Sequence, residues 1–306
     1  MTWDTINRMD STDTDVCKFV FTKDDAVAEA VLYKYGSYKD RTVICCSTQS
    51  GCPMGCTFCG TGKQFIRNLT TDEIVAQVKA CLDHAFYNHG TLYSDIDKFQ
   101  IMFMSMGEPM LNWKALKDAI QILHYSYRNA ALLISTSAPE TIVAFGELIE
   151  LSKEIPQIGL QFSVHESLQE ERDKLIPFKK KLSLRGLAAT GEAWAYQTGR
   201  KVYFNYCVHE KNNGVEDAQR LSELFKPEMW EATISVICEA DESVSASIER
   251  QEELATDFSG LLLEQGYNTR VFNPAGQDDI GGGCGQLWFT QEWMKNNPDK
   301  VRKTRG

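Results

Sequence analysis

The chain has 306 residues, 42 acidic against 32 basic side chains, a formal net charge of −10, and 43% hydrophobic residues. That composition supplies a full core and excludes a disordered chain, and the acidic balance argues against a general polyanion binder, because such binding rests on Lys and Arg neutralising phosphates. Met1–Asp15 is polar and acidic and no later stretch is a long apolar run, so neither a secretory leader nor a membrane span is expected and the protein is read as soluble and cytoplasmic.

Residues 1–41 read as a small N-terminal extension, with short strands at Lys18–Thr22 and Ala30–Tyr33 around the turn-like Lys23-Asp24-Asp25. From residue 42 the pattern becomes apolar strand, loop, then amphipathic helix. Val43–Cys46 is the first strand. Thr70-Thr71-Asp72-Glu73 then forms a capping box, with Ile74, Val78, Cys81, Leu82 and Ala85 as the buried stripe behind it. Phe99–Met104 precedes Gly107-Glu108-Pro109 and a helix opened by Asn112. Leu132–Ile134 precedes Ser135-Thr136-Ser137 and a helix over Glu140–Lys153. Ile158–Val164 runs into His165, and a helix follows over Ser183–Gln197. Val202–Val208 and Thr233–Cys238 lead into the last two helices, the second over Ile248–Leu263. Buried strands alternating with helices imply parallel strands and right-handed crossovers. Six such units make an α/β fold, a partial (β/α)6 TIM-type barrel spanning residues 42–306, with its polar signals at the C-terminal ends of strands, where this architecture carries its sites. The tail, Phe272–Leu287, is a Gly-rich loop centred on Cys284.

The stretch between the first strand and the first helix carries the chemistry. Cys52, Cys56 and Cys59 lie in one loop with Gly51, Pro53, Gly55, Gly60 and Gly62 around them, a composition with no packing reason to hold three thiols. In a chain without a leader such spacing reads as metal ligation, since the cytosol keeps thiols reduced. Three local thiolates are one short of a closed site, so either a distant residue such as Cys284 or His84 completes a zinc site, or an iron-sulfur centre keeps an open position for a ligand. Cys45 and Cys46 point to opposite faces of their strand, and Cys46 is the better structural thiol. Cys17, Cys81, Cys207 and Cys238 read as core thiols. Two basic clusters, Lys179–Lys181 with Arg185 and Lys295–Arg305, are compatible with phosphate contact and do not require it.

Together, Cys52, Cys56, Phe58 and Cys59, the run Gly60-Thr61-Gly62-Lys63-Gln64, Arg67–Thr70, Met106–Pro109, Ser135–Ser137 and Asp278–Leu287 resemble the radical S-adenosylmethionine superfamily, and within it the RlmN and Cfr methyltransferases, over roughly residues 42–288. The resemblance implies a 4Fe-4S cluster on Cys52, Cys56 and Cys59, with its fourth iron chelating S-adenosylmethionine. It implies that Glu108 accepts from the methionyl ammonium and that Ser137, Ser163 and His165 line the rest of the cofactor pocket. It also implies that Cys284 carries a methyl group from one S-adenosylmethionine, which a 5'-deoxyadenosyl radical from a second activates for addition to carbon 2 or carbon 8 of an adenine. Cys45 then deprotonates that carbon and attacks the sulfur of Cys284, leaving a disulfide. Glu29 is a further acid/base candidate in the extension.

The implied partners are RNA or a smaller nucleotide, and an electron donor such as flavodoxin. The sequence departs from the family where about 40 residues precede the first strand in place of an RNA-binding domain. It departs again where Cys238–Glu242 replaces an Asn-Pro motif, and where Asn273–Gln277 replaces a basic stretch. Two other readings stay open: a radical enzyme acting on a small molecule or peptide without methyl transfer to Cys, and a non-catalytic zinc-stabilised RNA-binding module.

Overall fold

The chain is seen in a computed structural model that describes residues 2–12, 14–62, 64–236 and 244–272, with 280, 296, 302 and 303. It opens with three antiparallel strands, β1 (Thr5–Asp10), β2 (Val16–Lys23) and β3 (Ala26–Tyr35). The β2–β3 hairpin turns at Asp24, whose φ of 48° lies in the left-handed region that Asp tolerates. Both expected short strands are therefore present and longer than their apolar runs. Strand β4 (Ser37–Cys46) pairs antiparallel with β3 on one side and begins the parallel series on the other.

After β4 come β5 (Gln49–Gly51) and β6 (Gln64–Asn68), a small antiparallel pair outside the main sheet, and then α1 (Thr71–His89). The parallel series continues with β7 (Lys98–Phe103), α2 (Trp113–Ser126), β8 (Ala130–Thr136), α3 (Ile142–Glu154), β9 (Ile158–Ser163), α4 (Gln169–Leu175) and α5 (Leu184–Thr198). It ends with β10 (Val202–Val208), α6 (Val215–Leu224), β11 (Trp230–Val236), α7 (Val244–Glu264) and β12 (Thr269–Phe272). The sheet order β1-β2-β3-β4-β7-β8-β9-β10-β11-β12 is that of successive βαβ crossovers, and it matches the six expected units. Strand β12 adds a seventh parallel strand in what reads from sequence as irregular tail. A two-residue strand, β13 (Arg302–Lys303), pairs with β6.

Alternation along the strands divides the sheet into two faces. Ile44, Cys46, Ile101, Phe103, Leu132, Ile134, Leu160, Phe162, Phe204 and Ile234 are buried in one continuous core that also holds Ile74 and Val78 of α1, Leu116 and Ile120 of α2, and Leu187 of α5. This is the helix-facing side. The opposite face carries Val43, Cys45, Met102, Gln161, Ser163 and Asn205, and becomes the barrel interior. Arg270 of β12 and Arg41 of β4 both act electrostatically on the Tyr35 phenol of β3. Helix α1 forms the expected capping box: Thr70 Oγ1 accepts from Glu73 N at 3.2 Å and Glu73 Oε2 accepts from Thr70 N at 2.9 Å. Asn112 stands at the start of α2 but makes no side-chain cap; its Nδ2 donates instead to the Thr48 and Leu69 carbonyls at 2.7 and 2.8 Å, tying α2 to the chain on either side of the Cys loop. Among the described residues no helix is long and apolar enough to cross a membrane.

Candidate active site

The three-Cys loop is clamped at its base by β5 and β6. Cys52 N donates to Gln64 O at 2.7 Å, Cys59 N to Cys56 O at 3.2 Å and Gly62 N to Cys59 O at 3.1 Å, so the chain doubles back on itself around the thiols. Gly51 has a φ of 75°, and a Cβ there would stand 2.2 Å from the Gln64 carbonyl oxygen; no other residue permits this crossing. On the far side Thr57 N donates to Leu175 O at 3.0 Å, and Ile176 and Phe178 pack with Cys52, Met54 and Cys56.

Burial, with the other loop thiols close by, pushes the Cys52 and Cys56 thiols well up. As free thiols they are held protonated, and a thiophilic metal centre is what would ionise them. A single zinc ion would bring its sulfurs to about 3.8 Å from one another, given Zn–S bonds of about 2.3 Å. Among the described residues the trio of Cys, His or carboxylate donors lying within 4.8 Å of one another is Asp10, Cys17 and His84, and not the loop thiols. At least one pair of loop sulfurs therefore stands more than 4.8 Å apart, farther than one tetrahedral ion holds its sulfurs and compatible with a multi-iron cluster. The Asp10 trio already holds a cation: Arg8 pairs with Asp10 at 3.1 Å and donates to His84 Nδ1 at 2.8 Å, which leaves the Nε2 proton facing Cys17 Sγ at 3.5 Å. His84 is thus committed to Cys17 and Arg8, which corrects its candidacy as a fourth ligand for the loop.

Glu108 follows Gly107, whose φ of 101° turns the chain against Gln49. Its carboxylate is buried and accepts from Met110 N at 3.0 Å, Thr136 Oγ1 at 2.5 Å and Ser137 N at 2.8 Å. Burial raises its pKa to about 7, while the three donors and the nearby Arg172 hold it down from going further. It is a carboxyl that an ammonium ligand would ionise. Ser137 N serves Glu108, and the Ser137 and Ser163 carbonyls both accept from Arg172 Nη2, at 2.9 and 3.1 Å. His165 is buried with a φ of 63°. Its Nδ1 accepts from Cys207 N at 3.2 Å, so its proton is on Nε2, and burial lowers its pKa to about 3, keeping it neutral. The edge of its ring meets Phe58, between Cys56 and Cys59, with ring centres 5.2 Å apart. Glu108, Ser137 and Ser163 are thereby joined through Arg172, and His165, two residues beyond Ser163, meets the Cys loop at Phe58.

Cys45 is half-buried on the barrel-interior face, where it packs, as do Met102 and Ile280, against the cluster of Val16, Val31, Tyr33 and Val43, whereas Cys46 is fully buried in the helix-facing core. Glu29 is buried beyond Cys45 on the same face and pairs with Lys18 at 2.7 Å; Lys18 Nζ also donates to Ile280 O at 3.4 Å. Cys284 and Cys238 lie outside the described residues. Sequence reasoning missed Thr136, Gln49, which accepts from Glu108 N at 2.7 Å, and Arg172. Thr136 sits inside a Ser-Thr-Ser signal. Arg172 sits among Glu170, Glu171, Asp173 and Lys174, a run that reads as a solvated helix face.

No family model matches the chain. It is 30% identical over 268 residues to a probable dual-specificity RNA methyltransferase RlmN of Fervidobacterium nodosum, covering 87% of this chain and 73% of the relative. It is 33% identical over 270 residues to its counterpart in Moorella thermoacetica, covering 85% and 72%. Among solved structures, a radical SAM methyltransferase from Sphaerobacter thermophilus superimposes with a TM-score of 0.77 at 28% identity, over 92% of this chain and 80% of that one. Streptococcus suis SuiB bound to S-adenosylmethionine superimposes with a TM-score of 0.51 at 12% identity, over 78% and 48%, a likeness of fold alone.

Proposed function

Since the chain belongs to the RlmN/Cfr-like family of radical S-adenosylmethionine methyltransferases, we propose that it methylates carbon 2 or carbon 8 of an adenine, in RNA or a related nucleotide, through a methyl-Cys284 intermediate. The enzyme is a radical methyltransferase that uses S-adenosylmethionine and a 4Fe-4S cluster. In this reading residues 1–41 are an extension that supplies Glu29, and residues 42–306 are the catalytic core.

Cys52, Cys56 and Cys59 would hold the cluster, and Glu108, Ser137, Ser163 and His165 the S-adenosylmethionine. When bound, these groups supply a 5'-deoxyadenosyl radical that activates a methyl group. The protein's own side chains do the rest. Glu108 accepts from the methionyl ammonium, a charge-assisted contact that draws its proton off. His165, neutral and fixed as the Nε2–H form, offers a donor without adding charge. Cys284 holds the methyl group as a thioether, and Cys45 takes the proton from the ring carbon before closing on the sulfur of Cys284. The observation that carries this reading is Ile280, four residues ahead of Cys284, which packs against the same barrel-interior cluster of Val16, Val31, Tyr33 and Val43 as Cys45 does.

RNA is the substrate named for the RlmN relatives, and it is the first substrate assigned here. The net charge of −10 and the absence of basic residues in Asn273–Gln277 favour a smaller nucleotide. Incubation with methyl-labelled S-adenosylmethionine, a one-electron reductant, and either total RNA or a small-molecule extract separates them. Label in an adenine of the RNA fraction is the expected result. Label only in the small-molecule extract would replace RNA with a free nucleotide, and label in neither, with Cys284 unmethylated, would remove the methyltransferase mechanism.

A further inference from the structure

Helix α4 places Arg172 behind the candidate cofactor pocket. Its neighbours Glu170, Asp173 and Lys174 are exposed, yet Arg172 is fully buried. Nη1 donates to Leu182 O at 3.1 Å, and Nη2 to the Ser137 and Ser163 carbonyls. Nε is buried and, among the described residues, has no hydrogen-bond partner. Every hydrogen bond to the guanidinium shown here is to a neutral carbonyl, and none of the described ion pairs includes it. A buried cation compensated only by dipoles is costly, and such groups persist where an anion completes the site.

One carboxylate that acts on Arg172 is the adjacent, exposed Asp173, which is engaged by Lys181; the other anions within reach, Glu108 and Cys56 once ionised, are those of the cofactor pocket. Ser137 bridges Arg172 to Glu108, accepting from one through its carbonyl and donating to the other through its N–H. Cys56 and His165 also lie within the electrostatic reach of Arg172. Three metal-bound thiolates would put several negative charges beside this one fixed positive charge. One-electron reduction of the cluster adds another negative charge, and a fixed cation nearby favours that state.

We propose that Arg172 is a positioning residue of the cofactor site, setting the Ser137 and Ser163 strand ends and, through its buried charge, raising the reduction potential of the cluster held by Cys52, Cys56 and Cys59. The proposal rests on the cluster reading of the Cys loop. A purely structural Arg172 would leave the potential of a correctly loaded cluster unchanged; a counter-charge lowers it on removal.

The test is an anaerobic redox titration of the reconstituted full chain, followed by electron paramagnetic resonance, for the parent, Arg172→Met and Arg172→Lys. Iron and sulfide contents are measured in each. In Arg172→Met with parental iron content, the reduction equilibrium is expected to shift about tenfold against the reduced cluster, 59 mV for one electron, and Arg172→Lys is expected to recover most of that shift. An Arg172→Met cluster with the parental potential overturns the proposal. Should Arg172→Met fail to fold or load, Arg172→Gln, which keeps a donor and loses the charge, decides: a tenfold shift against the reduced cluster supports the charge role, and the parental potential overturns it. A parent chain that binds no iron would instead refute the cluster reading, before any variant is compared.

Discussion

Glu108 accepts three hydrogen bonds and still titrates near neutrality, because full burial opposes what its donors and Arg172 favour. That balance gives S-adenosylmethionine binding a pH dependence. Below about pH 7 the empty site holds a protonated carboxyl that must ionise to meet the methionyl ammonium, so affinity falls as pH falls, approaching tenfold per unit, and it levels off above pH 7. Equilibrium binding to the oxidised, loaded enzyme checks this: Glu108→Gln is expected to weaken binding by about tenfold or more, the worth of a charge-assisted hydrogen bond, and to abolish the slope. An unchanged slope in Glu108→Gln would assign the titration to another group. At this scale the sequence singles out the Cys triplet and Glu108 as candidates, because thiols at short spacing in a Gly-rich loop and a Glu at a strand end have few structural uses. Arg172 was not, because its burial depends on where α4 docks and nothing in its acidic surroundings announces that.

The element that governs the site is the β5–β6 clamp. Apolar periodicity does not reveal it, since the two strands are short and lie off the main sheet, with the whole Cys loop between them. The long units were legible: capping box, helix stripes and six strands all follow from pattern. Helix α4 and strand β12, at seven and four residues, fall below the length at which periodicity discriminates. The clamp makes a sharp demand at Gly51, where any side chain needs a left-handed φ and meets the Gln64 carbonyl. Gly51→Ala is therefore expected to cost at least about 2 kcal/mol locally. The chain should fold, with far-ultraviolet circular dichroism close to the parent, but bind much less iron on reconstitution. Parental iron content in Gly51→Ala would show that the loop forms its metal site without the clamp.

At the scale of the molecule, the account depends on two distant segments meeting inside one barrel. The antiparallel strands β1–β3 extend the sheet beyond β4 and put the Lys18–Glu29 pair on the same interior face as Cys45. From the other end of the chain, Ile280 reaches that face and is bound by Lys18. Sequence pattern supplied the six parallel units but not this meeting, because contacts between residues 18 and 280 leave no periodic trace. The first strands therefore help form the wall against which Ile280 packs.

Cys45→Ala tests this most directly. The variant is loaded with cluster, given S-adenosylmethionine, reductant and the adenine substrate identified by labelling, and then digested for mass spectrometry. With no thiol to take the ring proton and close on Cys284, the substrate is expected to accumulate as a covalent adduct on the Cys284 peptide, with little free product. Free, fully methylated product at the parental rate, and no adduct, would contradict the account.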